Sequence, residues 1–375
     1  MAKRLGKLLT KLIPRSFEYL KLPSGITTPK ACSSEYISVN PATENVRFPM
    51  PHSLDLGGQD WKEEFSETAQ ELWRFSQATI DSSASLVNAQ GHLVWELSED
   101  FMHSSPACHP KFELKWKNLY QKTRIKKETV FNLAHHFDEN PYHWLLDGIA
   151  RLSLLQHTTK PVDALYIPLR NRYQKESLML ALQSMQLDIP IINAANVSDL
   201  KVQSLYQPSF ALFDTRTHLA PAQWACDYVR DVLGKPSQEC MRRIYISRSD
   251  ASYRRVLNED ALVDLLQKYG FERVVLSQLS FAQQRDLFAQ SEAIVAPHGA
   301  GLAHLLFCAP GTKVIEIFYP QFMQACYWQI SKHMQLDYTF CQGEPLDSSE
   351  AHWPFEDILV DIDKIKRVLE MKKLN

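Results

Sequence analysis

From about residue 85 onward, apolar positions fall in short runs divided by polar, Pro- or Gly-containing breaks, and the runs alternate between strand and helix periods. Ser85 to Val87, Leu93 to Leu97 and Thr129 to Leu133 read as strands. A helix opens at Asn140-Pro141 and continues to about Leu155; strand Ala164 to Pro168, helix Gln174 to Met185, and strands Ile189 to Ile192 and Leu212 to Asp214 follow. Pro221 to Leu233 reads as a helix linking two halves, with a candidate hinge at Gly234-Lys235-Pro236-Ser237. The second half alternates more cleanly: strand Arg243 to Ser247, helix Glu259 to Tyr269, strand Phe271 to Leu276, helix Phe281 to Ala289, strand Ala293 to Ala296, helix Ala300 to Phe307 and strand Lys313 to Phe318. Such repetition predicts an α/β protein with parallel sheets.

Residues 22 to 60, rich in Pro, Ser, Thr and Asn, read as an extended lead-in wrapping the first domain. At the other end, Ile358, Ile362, Ile365 and Leu369 share one face of a helix over Phe355 to Leu374, which packs back on the protein. The organisation expected is a lead-in (1–60), a Rossmann-like domain (61–220), a second Rossmann-like domain (221–345) and a terminal helix (346–375), with ligands bound where the strand ends face the gap between the domains.

The most informative stretch is 291–318. A buried strand runs into Pro297-His298-Gly299-Ala300-Gly301, and two glycines without Cβ atoms let a ligand approach the backbone N–H groups at the next helix start, an arrangement that suits an anion such as phosphate. Glycine turns of this kind also occur in α/β sheets without any ligand. Glu316 interrupts the following apolar strand, and a carboxylate there needs a partner or an edge position facing water.

Composition narrows the setting. A hydrophobic fraction of 45% with 22% charged residues is that of an ordinary globular chain, and a net charge of −2 provides no global attraction to nucleic acid. The cysteines are scattered, odd in number and without C-x-x-C spacing, which suggests a reducing compartment and no structural zinc. No run reaches the ~18 to 20 apolar residues of a membrane span, so a cytoplasmic location is expected. Leu5, Leu8, Leu9, Leu12 and Ile13, flanked by Lys and Arg, form a short basic amphipathic helix that suits an anionic membrane surface, the protein's own surface or a tail.

Two constellations carry candidate chemistry. Ser247 to Arg255 follows a strand and holds Arg248, Arg254 and Arg255; forked guanidinium donors match phosphate oxygens, which makes Arg248 the candidate diphosphate clamp, with Arg254 and Arg255 read as a solvated loop. His143, Asp147 and Arg151 recur every four residues on one helix face, as a general base with its orienting carboxylate or as a pair that only stabilises the helix. Asn258 is a candidate helix cap. Asp361-x-Asp363 has a metal-binding spacing but lies in the terminal amphipathic helix, and the scattered histidines form no ligand set, so no metal site is expected.

Arg243 to Arg248 (RIYISR), Asn258-Glu259, Tyr269-Gly270-Phe271, Leu279 to Phe288, Ala296 to Leu302 (APHGAGL), Pro310 to Glu316 (PGTKVIE) and Tyr142 to Asp147 (YHWLLD) together resemble glycosyltransferase family 61, whose bacterial members are often described as capsular polysaccharide biosynthesis proteins. The resemblance covers roughly residues 90 to 320. It implies a GT-B architecture and an inverting, metal-independent transfer from a nucleotide sugar, with a UDP-sugar as the donor, to a cell-surface polysaccharide or glycolipid precursor. It also implies site roles: Arg248 and the backbone of Gly299, Ala300, Gly301 and Leu302 on the diphosphate, His298 lining the donor site, Glu316 on the ribose hydroxyls, and His143 and Asp147 as catalytic residues facing the acceptor. Residues 1–21 would touch the inner membrane surface peripherally. His304 stands where family members commonly carry Asn, and Ala150 where Pro is usual. Alternatives on the same plan are a nucleotide-sugar epimerase, a pyruvyl transferase or a non-catalytic nucleotide-sugar-binding protein.

Overall fold

The structure is a computed structural model that describes residues 25–27, 29–41, 43–55, 61, 63–81, 86–87, 92–94, 97, 124–135, 139–197, 199–214, 219–234, 240–344 and 356–374. The amphipathic segment at 1–21, Cys108 and the hinge residues 235–237 lie outside these. Two sheets organise the chain. The second is wholly parallel, in the order Phe271–Val274, Arg242–Ile246, Ser291–Pro297, Lys313–Phe318, Asp337–Gln342, His52–Ser53. Helices Glu259–Lys268, Phe281–Ala289 and Cys326–His333 and the 3₁₀ segment Ala300–Phe307 connect its strands. The first strand of this half in sequence lies second in the sheet, so the winding reverses between Arg242–Ile246 and Ser291–Pro297. Ligands in open α/β sheets bind outside the carboxyl ends of the strands at such a reversal.

The first sheet is mixed. Strands Arg124–Asn132, Ala164–Ile167 and Ile191–Asn193 run parallel, as the βαβ pattern predicts, and Asp199–Pro208 pairs parallel to Arg124–Asn132. Beyond it the sheet turns antiparallel, through the long strand Gln70–Asp81 and then Glu35–Asn40 and Leu86–Val87. The lead-in also departs from expectation: it serves both sheets instead of wrapping the first. His52–Ser53 adds a parallel edge strand to the second sheet, Asp55 accepts from Gln342 N–H (2.7 Å) and Lys364 Nζ (3.0 Å), and Trp61 stacks on Trp328 with ring centroids 5.4 Å apart.

One apolar core joins the halves. Leu146, Leu165 and Leu178 from the first half share a buried cluster with Leu302, Phe307 and Trp328 from the second, and the linking helix Gln223–Leu233 contributes Cys226, Val229 and Leu233 to it. Each such side chain contributes about 1.5 to 3 kcal/mol by leaving water. The terminal helix is shorter than its apolar pattern, Ile362–Met371, because Ile358 pairs in extended form with the 255–257 segment; Ile365, Val368 and Leu369 pack with Leu262 and Leu266. Asp361 caps that helix, accepting from Lys364 N–H at 2.9 Å, which is the work its position in the Asp361-x-Asp363 pair does. Among the described residues no helix is long and apolar enough to cross a membrane, and no group of His, Cys, Asp and Glu could hold a metal ion.

Candidate functional site

Arg248 and Gly299 stand just beyond the two strands that flank the reversal, and they touch. A Cβ built on Gly299 would lie 2.1 Å from Arg248 Nη1, so the guanidinium rests in space that only a glycine leaves. Gly301 does the same for Leu276, whose Cδ1 would be 2.5 Å from a Cβ there. Ala300–Phe307 forms a 3₁₀ helix with Gly299 at its N-cap, and the first N–H groups of such a turn have no intrahelical partner. Burial and the nearby charge of Arg254 both disfavour the charge on Arg248. Its Nη2 donates to the Tyr253 carbonyl (3.0 Å), and its Nε is buried without an acceptor.

The loop that presents Arg248 is anchored from behind by Glu259. One carboxylate oxygen accepts from Ser247 Oγ (2.6 Å) and Tyr245 OH (3.0 Å), the other from Arg273 (2.9 Å), and Ser247 Oγ in turn accepts from Ser249 N–H (3.2 Å). Asn258 does not cap its helix. It brackets the backbone of Val360, donating to the carbonyl (2.8 Å) and accepting from the N–H (3.0 Å), and so fastens the loop to the C-terminal segment.

His298 and Glu316 form a buried pair. The imidazole Nδ1 donates to Glu316 Oε1 at 2.5 Å, and Tyr338 OH donates to Oε2 at 2.5 Å. Glu316 is 0% exposed, so the ribose contact expected of it has no accessible oxygen; its carboxylate instead orients His298. Burial holds the imidazole below its ordinary pKa, and the two arginines push the same way against the Glu316 bond, leaving the ring neutral at pH 7. Phe318, Phe322 and Tyr327 surround it, with centroids 5.1, 5.6 and 5.2 Å away.

A cavity of about 440 Å³ opens in front of the reversal, walled by Arg248, Gly299, Gly301, Leu302, Ile246 and Leu276 on one side and by Glu139, Pro141, Asn171 and Tyr173 on the other. Both halves therefore contribute. His298, Ala300, Glu316, His143 and Asp147 are not on this wall. The helix expected from Asn140 is a single α-turn, Pro141–His143, followed by a π-turn, Trp144–Gly148, and a 3₁₀ run, Ile149–His157. The wider π-turn changes the spacing, and His143 Nδ1 approaches Asp147 Oδ2 only to 3.6 Å. Asp147 Oδ1 accepts from Ala211 N–H (2.9 Å), and buried Arg151 donates to the carbonyls of Asp147 and Pro208, each at 3.1 Å. Tyr142 links the segment to the other half: its ring packs against Tyr327 at 5.7 Å, and Tyr327 packs against His298.

His304 is fully buried among Tyr173, Phe281, Phe288 and Phe307. Its Nδ1 donates to the Gly301 carbonyl (2.9 Å), and Nε2 lies 3.4 Å from Tyr173 OH, a contact between the halves. Burial pushes its pKa down to about 4. The unfolded chain therefore takes up a proton below about pH 6.5 while the folded chain does not until about 4, so stability falls on acidification through that window, by on the order of 3 kcal/mol from this group. His333, also held at about 4, adds a parallel loss. In denaturant titrations at pH 7, 5.5 and 4.5, His304→Asn is expected to lose less stability than the wild type; equal losses would show that His304 contributes nothing to the slope.

Parts of the chain are similar to known glycosyltransferases. An EGF domain-specific O-linked N-acetylglucosamine transferase from Drosophila melanogaster is 38% identical over 87 residues, 22% of this chain and 16% of that protein. The enzyme of the same name from Xenopus laevis is 25% identical over 149 residues, 36% of this chain and 28% of the relative. A xylan glycosyltransferase, MUCI21, from Arabidopsis thaliana is 30% identical over 122 residues, 30% of this chain and 25% of the relative. The matches thus span between 16% and 28% of these relatives' lengths. Among solved structures, a flavo di-iron protein mutant from Thermotoga maritima overlaps 54% of this chain and 48% of that one at a TM-score of 0.25 and 15% identity, which carries no argument. Residues 142–315, the span that holds the His143 turn, Arg248 and the Gly299–Leu302 backbone, match the family model described as Glycosyltransferase 61.

Proposed function

We propose that the chain is a glycosyltransferase of the GT-B plan that moves a sugar, with inversion, from a nucleotide-sugar donor to a hydroxyl on a glycan. The observation that carries this reading is Arg248 seated on Gly299 at the winding reversal, in a cavity that both halves wall. The second sheet, with a guanidinium and bare main-chain amides at its strand ends, suits the diphosphate; the volume of about 440 Å³ falls in the range of ~300 to 1,000 Å³ common for small-molecule sites. The matched relatives act, by their names, on EGF domains and on xylan, and a polysaccharide or glycolipid precursor is the acceptor class this reading carries for the present chain.

In the transfer, the acceptor oxygen bonds to the anomeric carbon as the bond from that carbon to the diphosphate oxygen breaks. The electron pair leaves on the diphosphate, and the acceptor proton passes to a base. Arginine and main-chain N–H donors stabilise the leaving charge. His143, beside Asp147 on the segment that Tyr142 ties to the donor half, is our candidate for the base.

The test is incubation of the full chain with UDP- and GDP-sugars, with and without oligosaccharide acceptors, reading nucleoside diphosphate release. Acceptor-dependent release that persists in a chelator supports the reading. Conversion of the donor to an epimer without an acceptor, or tight donor binding with no turnover across acceptors, would replace it. His143→Ala is expected to lower turnover by about a hundredfold or more with donor affinity unchanged; a variant that only melts earlier removes His143 from the mechanism.

A further inference from the structure

Arg254 behaves unlike the solvated loop residue its surroundings in the sequence suggest. Its neighbour Arg255 turns outward and forks onto Asp357, at 2.7 and 3.1 Å, while its backbone N–H donates to the same carboxylate at 2.9 Å. The chain on either side is held in extended pairing: Ile358 N–H donates to the Arg255 carbonyl (2.7 Å) and Leu257 N–H to the Ile358 carbonyl (2.8 Å). Between these fixed points Arg254 adopts φ 55°, a left-handed conformation that a side chain with a Cβ disfavours and that persists only where the surroundings impose it.

The guanidinium of Arg254 lies 5.4 Å from the Phe322 ring centroid and 4.9 Å from that of Tyr253. Phe322 packs edge-on against His298, and Tyr253 is also within 5.6 Å of the Arg248 guanidinium. The two arginines thus share one aromatic neighbour; Arg248 lines the cavity at Gly299, while Arg254, off that wall, reaches the same turn through Phe322 and His298. Neither has a carboxylate within ion-pair distance among the described residues, Arg254 makes no hydrogen bond there, and the Nε atoms of both are buried without an acceptor. Two partly desolvated like charges held together lack an anion, and a ligand carrying two phosphates supplies it.

We propose that Arg254 is the second half of a two-arginine clamp, each guanidinium taking one phosphate of the diphosphate, so that the site selects nucleoside diphosphate donors over nucleoside monophosphate donors. This rests on the donor-site reading above. A monophosphate would leave one guanidinium unpaired, and Arg254 is the one further from the glycine turn.

Calorimetric titration of the full chain with UDP, GDP, UMP, GMP and inorganic pyrophosphate tests it, using wild type, Arg254→Ala, Arg254→Lys and Arg255→Ala. Arg254→Ala is expected to weaken the preferred diphosphate and pyrophosphate by about tenfold or more while changing the monophosphate by less than about threefold. Arg254→Lys, which keeps the charge without the fork, falls between, and it carries the test if the alanine variant does not fold. Arg255→Ala stays at wild-type affinity. The proposal is overturned if Arg254→Ala retains the wild-type preference for diphosphate, if it weakens both classes equally, or if Arg255→Ala loses as much. A wild-type chain that binds none of these compounds would overturn the donor-site reading as well, whereas a wild type that prefers diphosphate with an unaffected Arg254→Ala removes only the clamp.

Discussion

Arg248→Ala is expected to weaken nucleoside diphosphate binding by about 2 to 4 kcal/mol, a thirtyfold to thousandfold rise in Kd. Its guanidinium is partly desolvated, meets Gly299 at closest approach and donates one hydrogen bond, to the Tyr253 carbonyl, so most of its donors have no protein acceptor among the described residues. Stability should change little or rise, since the variant removes a charge whose burial is uncompensated. Gly299→Ala provides an independent check that leaves the arginine in place. Its φ of 177° is extended backbone open to any residue, so the only penalty is the new methyl at 2.1 Å from Arg248 Nη1. Moving the arginine aside should reproduce much of the binding loss. Affinities within threefold of wild type in both variants, measured by calorimetry, would remove this corner of the molecule from the donor site and with it the proposed function.

The second half of the fold is legible because its strands are buried on both faces. Lys313–Phe318 reads as a continuous apolar run bounded by a Pro-Gly turn, and the structure gives it the same limits; Phe281–Ala289 starts where Ser280 and Gln283 form a capping box. The first half hides its longest strands. Gln70–Asp81 carries Arg, Ser and Gln on its open face, and Gln77 at φ 55° interrupts the alternation between Phe75 and Ala78. Period-two patterning across that point fails. Asp199–Pro208 owes its place to pairing with Gln70–Asp81 on one side and Arg124–Asn132 on the other, a relation between distant segments that local pattern does not contain.

The site divides in the same way. Arg248 and the Gly299 turn are visible as local chemistry: a forked cation directly after one strand, two glycines directly after another. The requirement that Glu316 have a partner is equally visible, since a charge inside an apolar strand has to be met. Its partners are not, because His298 and Tyr338 reach it from the adjacent strand ends on either side. The sequence also cannot separate Arg254 from Arg255. What separates them is Asp357, a hundred residues away, which captures one and leaves the other facing His298.

Glu316→Ala is expected to destabilise the fold by about 3 to 5 kcal/mol, because it strands two buried donors, His298 Nδ1–H and Tyr338 O–H, and leaves a cavity between strands. Tyr338→Phe keeps the ring but leaves Glu316 Oε2 buried without its donor and should cost about 2 to 3 kcal/mol, less than the loss of the whole carboxylate. Glu316→Gln separates stability from chemistry. Its amide oxygen accepts from Tyr338, but its NH₂ can only donate toward His298, and the ring responds by taking the proton on Nε2. The imidazole, which lies off the cavity wall but directly precedes Gly299, then carries an N–H on Nε2 where the wild type has a lone pair, and the change bears on transfer through that turn. Turnover should fall at least about tenfold with a modest loss of melting temperature, and ring ¹⁵N shifts should report the exchanged tautomer. Full activity in Glu316→Gln would show that the orientation of His298 is immaterial to transfer, and an unchanged melting temperature in Glu316→Ala would show that the buried network does not hold the second sheet as drawn.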